Sequence, residues 1–263
     1  MITKTLGEYR RALIGWTVGI SLFLTMYVSI YASMREDPET LSKQALAKAP
    51  GALRDILGGM EDIATATGYL QTVVYQLLVP LMFIVCAMIL GNRAIAQPEE
   101  SGTLELTVTL PIDRKRLVLD RFAGLLIALL TLAAITFLVV VGVAQSIDLG
   151  VGVDRILAAH TGVFLLALFF GTLTLAVGAM TGRKALAMTV VGVWGIAGYM
   201  VITVGRNVDA ISWLKWVSPF HYYAEGRPLY QGFPLGDYLV LAGAALVLAL
   251  TAILAFDRRD VGV

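Results

Sequence analysis

The chain has one cysteine, two histidines and a charged fraction of only 15% over 263 residues. Each shortage excludes something. Cys86 alone forms no intrachain disulfide, so no disulfide framework staples the fold and no redox compartment can be read from it. His160 and His221 stand far apart with no second ligand at metal spacing such as H-E-x-x-H, and neither is read as a metal ligand or a catalytic group. The phosphate loop G-x-x-x-x-G-K-[ST] is missing, because Gly182-Arg183-Lys184 lacks the upstream glycine and falls at the end of an apolar run. A net charge of +1 without a basic stripe argues against a dedicated nucleic-acid binder. The charged fraction also lies well below the roughly 25% of an ordinary soluble domain.

Apolar residues, 58% of the total, fill the chain instead. Six uncharged stretches run from 12 to 34, 69 to 92, 122 to 147, 156 to 182, 185 to 205 and 238 to 256. A helix rises about 1.5 Å per residue, so about 20 residues cross a hydrocarbon core of about 30 Å. Hydrocarbon offers no water to satisfy N–H and C=O groups, so each stretch must be a helix. The expected fold is an all-α integral membrane protein with six transmembrane helices. The longest segments between them are about 30 residues, too short to bury a core of their own. Residues 1–263 are therefore read as one membrane domain.

Orientation follows from Lys and Arg. With both termini cytoplasmic, the inside segments hold 12 basic residues and the outside segments 8, while acidic residues lean the other way with 8 inside and 11 outside. The cytoplasmic membrane, crossed several times with both termini inside, is the expected location. The first apolar run is longer than a signal-peptide core and lacks a small-x-small cleavage site, so it is read as a retained helix. Before it, Ile2, Leu6 and Tyr9 recur at helical spacing among Lys4, Arg10 and Arg11, which predicts an interfacial helix over residues 1–11. Basic anchoring at anionic headgroups explains the same residues equally well.

Asp37-Pro38-Glu39-Thr40 opens the first outside segment with a capping carboxylate, a proline preset for the helix and negative charge at its positive end, so a short surface helix ending near Pro50-Gly51 is expected. The inside segment 92–121 is richer. Its Leu104, Leu106, Val108 and Leu110 alternate as in a strand. A lone strand has no sheet to join, and Pro98 followed by Glu99 and Glu100 is a helix entry, so a helix is preferred.

Within the spans, Gly15 with Gly19 and Gly178 with Gly182 are spaced for close helix approach, and Pro80 removes a backbone donor and should bend span 2. Gln71, Tyr75 and Gln76 in span 2, and Tyr199 and Thr203 in span 5, would be costly facing lipid and should face protein or a cavity. Trp213, Trp216, Phe220, Tyr222 and Tyr223, in the outside segment 206–237, fit an interfacial aromatic belt.

Glu100-x-Gly102-Thr103-x-Glu105-Leu106 followed by Pro111-Ile112-x-Arg114 resembles the coupling-helix region of type-2 ABC exporter permeases. Ser218-Pro219-Phe220-His221-Tyr222-Tyr223, with Gly226, Pro228-Leu229 and Gly232-Phe233, is similar to that family's segment before the sixth span. With the order of six spans, the resemblance extends over nearly the whole chain. It implies a permease half beside a second, identical or related, half, with two separate nucleotide-binding ATPase subunits beneath that carry ATP and Mg; this chain would hold no cofactor. It implies a coupling helix between spans 2 and 3, with Glu99, Glu100, Gly102, Thr103, Leu104, Glu105, Leu106 and Arg114 meeting the ATPase subunit, Val108 packing beside them, and a re-entrant segment before span 6. It also places spans 2 and 5, hence Gln71, Tyr75, Gln76, Tyr199 and Thr203, along the substrate path. Uncharged spans favour a hydrophobic or amphipathic cargo, such as a drug, an antibiotic or a lipid. The alternatives are a sensor or scaffold of the same architecture, and, least favoured, an intramembrane enzyme.

Overall fold

The computed structural model describes residues 2–36, 65–104, 113–203 and 209–259. The expected surface helix after Asp37 lies outside the described residues, as do Glu105, Leu106 and Val108. Helix α1 runs Ile2–Glu36, α2 Ala66–Tyr69, α3 Val79–Ala94, α4 Ala96–Glu100, α5 Arg114–Ser146, α6 Val153–Thr181 and α7 Lys184–Thr203. A 3-10 turn over Asp209–Val217 leads to α8 Pro219–Ala224, α9 Pro228–Gln231 and α10 Leu235–Arg258. Six of these stretches are long and apolar enough to cross a membrane, and no strand occurs among the described residues. The protein is an all-α multi-pass membrane protein.

The buried helix is α6. It is apolar on every side, with Val163, Leu166, Ala167, Phe170 and Leu175 all buried, as expected of a helix surrounded by others along most of its length. Helices α3, α5, α7 and α10 pack around it, and α1 lies on α5 at the periphery. Outward-facing Leu22, Leu138, Ile196, Leu239 and Leu250 remain exposed on the peripheral helices, which suits side chains meant for lipid. Small residues set how closely the centre packs. A Cβ added at Gly91 of α3 would stand 2.2 Å from the Gly171 carbonyl of α6, so the two main chains touch there.

Three local features depart from the expected pattern. The stretch 1–11 is not a separate helix: α1 is continuous over 35 residues, about 52 Å at 1.5 Å per residue, and so longer than the hydrocarbon core. Span 2 begins as α2, capped by the Thr65 side chain, which accepts from the Gly68 amide at 3.0 Å. It then widens into nine residues of π-helix, Leu70–Leu78, before α3. Pro80 stands in the first turn of α3, where a proline's preset φ is well tolerated; the irregularity falls just before it. Of the paired glycines, Gly178 and Gly182 receive Ala96 and Glu99, whereas Gly15 and Gly19 meet nothing within 4 Å.

Candidate functional site

The start of α1, residues 92–104 and 113–121, the α6–α7 turn and Arg259 after α10 lie on one face of the bundle, here the terminal face. Its foundation is apolar. Leu104 is buried with Ile95, Leu117, Val118, Leu175, Ala179 and Phe256 in a cluster distinct from the main core. Leu104 thus packs into its own chain. Asp113 starts α5 by accepting from the Lys115 amide at 3.1 Å, a cap that satisfies one of the helix's open donors.

Charges then close the face. Arg259, just beyond α10, pairs with Glu99 of α4 through Nη2 and donates from Nη1 to the Ala179 carbonyl of α6 at 2.9 Å. Its own carbonyl accepts from Arg114 Nη1 at 2.8 Å. Burial pushes the Arg259 guanidinium down from its ordinary value, but an arginine so placed keeps its charge at neutral pH. Lys115 and Asp257 form a more exposed pair at 3.3 Å. Glu100 Oε1 accepts from the Lys184 amide at 2.6 Å, at the first residue of α7, where an anion also meets the positive end of the helix dipole. The turn that receives these carboxylates needs glycine twice over. Gly182 has φ +67°, and a Cβ there would collide with Glu99 and Arg259.

Three of the charges expected to meet a partner, Glu99, Glu100 and Arg114, are therefore engaged within the chain. Gln97, Glu100, Ser101, Gly102 and Thr103 form the exposed rim. Ser101 and Thr103 hydroxyls both donate to the Pro98 carbonyl at 3.1 Å, and Gly102 ends the turn at φ +70°.

At the opposite end, the residues expected along a substrate path are brought together in part. Tyr75 is fully buried, and its hydroxyl shares a hydrogen bond with His160 Nδ1 at 2.9 Å. Its carbonyl accepts from the Tyr223 hydroxyl of α8. Gln71 is buried and Gln76 half-buried. Gln71 Oε1 and His160 Nε2 are buried without hydrogen-bond partners. Tyr199 and Thr203 of α7 are also buried, and the Thr203 hydroxyl donates back to the Tyr199 carbonyl at 2.9 Å. Tyr199 meets Phe220 ring to ring at 5.5 Å, so α8 bridges the two groups. An open apolar groove of about 520 Å³ lies elsewhere, between α1 and α5, and none of these five residues lines it.

The aromatic segment divides. Trp213 and Trp216 are exposed, as a belt requires, while Phe220 and Tyr223 are buried and Tyr222 half-buried. The Ser218 hydroxyl donates to the Gly198 carbonyl at 2.9 Å and fixes the start of α8 against α7. His221 pairs with Glu225 at 3.2 Å. His160, set aside in the sequence, sits in the polar cluster, and the signal that pointed there was Tyr75 and Gln71 in an otherwise apolar span. Arg259 gave no such signal: basic residues after a last span are ordinary anchors.

Comparison with curated proteins gave no match. A family model described as ABC-2 family transporter protein matches residues 1–261. The match takes in both the terminal face and the α8 segment, and the chain belongs to the ABC-2 transporter family as a membrane transport subunit.

Proposed function

We propose that the chain is the permease half of an ATP-driven exporter in the cytoplasmic membrane, with both termini cytoplasmic. The observation that carries this reading is the terminal face: a short helix with an exposed rim at residues 97 and 100–103, tied at its base to three spans, in a chain of a transporter family. Such a rim can take up movement from a partner, and its anchoring can pass that movement on. Residues 1–263 form one permease domain, with 92–121 as its coupling segment. Two nucleotide-binding subunits bind ATP and Mg and hydrolyse the ATP, and a second permease half, identical or related, completes the pathway; lipid surrounds both halves.

The cargo is hydrophobic or amphipathic: a drug, an antibiotic or a lipid-like molecule. No Asp, Glu, Lys or Arg occurs within the six uncharged runs, so no fixed carboxylate is available there to replace a cation's hydration. Gln71, Tyr75, Gln76, Tyr199 and Thr203 contribute to its path, with α8 as a re-entrant element closing the outer end.

ATP binding shifts a permease only if its states contact the partner with different free energies. Glu100→Lys should remove part of that difference and also uncap α7. The complex is purified from native membranes, its subunits identified by mass, and ATP turnover and drug efflux measured in one reconstituted preparation. The expected result is a nucleotide-binding partner in the wild-type complex, with ATPase activity in the mutant that no longer drives efflux. Wild-type efflux per ATP from the mutant would remove Glu100 from this role. A wild-type chain with no such partner would overturn the exporter reading itself.

A further inference from the structure

We propose that Arg259 is the positioning residue that joins span 6 to the coupling segment, so that movement of α4 is delivered to α10 and α6 as well as to the spans on either side of it. The inference rests on the exporter reading for its functional half; its structural half stands alone. The guanidinium reaches Glu99 and the Ala179 carbonyl together, and the Arg259 carbonyl is itself held by Arg114 at the start of α5. One residue at the end of the last helix thus touches α4, α5 and α6. Lys115–Asp257 repeats the α5–α10 connection beside it.

Arginine is required by geometry. Its planar fork serves a carboxylate and a carbonyl from separate nitrogens, which a single ammonium cannot do in the same fixed arrangement. The joint is also able to open. Glu99 Oε2 is buried without a hydrogen-bond partner, so the pair is incompletely satisfied, and such a pair is a poor source of net stability. Specific positioning, not stabilisation, is what this arrangement supplies. Gly182 keeps the site free of a side chain that would hold Glu99 and Arg259 apart.

The test has two arms. In the first, hydrogen exchange of the Glu99, Ser101 and Gly102 amides is measured in the full chain in lipid nanodiscs; these amides donate to Ile95, Gln97 and Glu99 carbonyls and report the seating of α4. Arg259→Ala should speed their exchange roughly tenfold, the effect of losing one charge-assisted hydrogen bond, with Arg259→Lys between it and wild type. Should Arg259→Ala fail to fold, Glu99→Gln gives the same reading from the other side. In the second arm, spin labels at Leu130 of α5 and Leu250 of α10, both exposed, follow the helices in the native complex as ATP and Mg are added. Arg259→Ala should reduce the ATP-dependent change in distance about fivefold or more, while ATP is still hydrolysed.

Wild-type exchange in the variants, or an undiminished movement of α10, would overturn the proposal. If the wild-type complex itself shows no ATP-dependent movement, the exporter reading fails and the exchange arm alone decides whether Arg259 positions α4.

Discussion

Arg121 of α5 donates from Nη1 to Glu8 of α1 at 2.6 Å, and the two partners differ sharply in exposure, the Arg121 side chain at 7% and that of Glu8 at 41%. The pair holds the beginning of the chain against the beginning of span 3. Removing either partner should not cost the same. Glu8→Ala leaves a buried guanidinium with, among the described residues, Thr5 Oγ1 at 3.4 Å as its remaining side-chain partner, and should cost about 2 kcal/mol. Arg121→Met leaves a carboxylate that water can reach and puts an apolar chain in the buried position, so it should cost less. Thermal unfolding in detergent, with tryptic cleavage after Arg10 and Arg11 as a local probe, ranks the two variants; equal losses would contradict the asymmetry.

A second prediction concerns Tyr75. Tyr75→Phe keeps the ring and removes one hydrogen bond to His160, whose Nδ1 retains the Ile156 carbonyl at 3.2 Å. The expected loss is about 1 kcal/mol. Tyr75→Ala also opens a cavity among fully buried neighbours and should cost about 3–5 kcal/mol. Equal unfolding midpoints for the two variants would show that the hydroxyl, not the packing, dominates.

The third prediction separates glycines that look alike in sequence. Gly91→Ala forces a methyl into the Gly171 carbonyl, a contact of 2.2 Å with main chain that cannot rotate away. Overpacking of this kind costs about 1–3 kcal/mol, occasionally more. Gly19→Ala enters open space and should leave folded yield unchanged. Size-exclusion profiles and unfolding midpoints of the two variants decide the matter.

Orientation supplies a fourth. Ser101 and Ser146 are exposed at opposite ends of the bundle, and Cys86 is fully buried, so the native thiol should stay silent. In intact cells an impermeant maleimide should label Ser146→Cys and spare Ser101→Cys. Labelling at Ser101 alone would invert the proposed topology.

The six helices were legible in the sequence because hydrocarbon tolerates no other use of long uncharged runs. Where the chain leaves the apolar interior, legibility fell. The runs end at charges, yet α1 and α5 continue beyond them, to Ile2 and Arg114, because nothing there breaks a helix. The π stretch over Leu70–Leu78 left no trace, since its residues are those of any apolar helix. Tyr75 and Gln71, expected to face protein or a cavity, are buried, but the partner of Tyr75, His160, is 85 residues away. The resemblance assigns the charges at 99, 100 and 114 to a partner subunit, and their contacts within the chain are hidden because sequence shows neighbours along the chain only. Glu99 meets Arg259 across 160 positions, and no spacing rule reaches that far.

Main-chain contact between Gly91 and Gly171 has a kinematic consequence. If α3 slid by one turn along α6, the side chain of Ala87 or Ala94, on the same face as Gly91, would be driven toward a carbonyl that leaves no room for even a methyl group. The two helices are keyed together like an axle and its hub. In the proposed exporter, the movement that drives transport would then be carried by the helices around them, turning about this axis. Labels at Leu81 and Leu157, exposed on α3 and α6, should hold one separation through the ATP cycle while pairs that include α1, α7 or α10 change theirs.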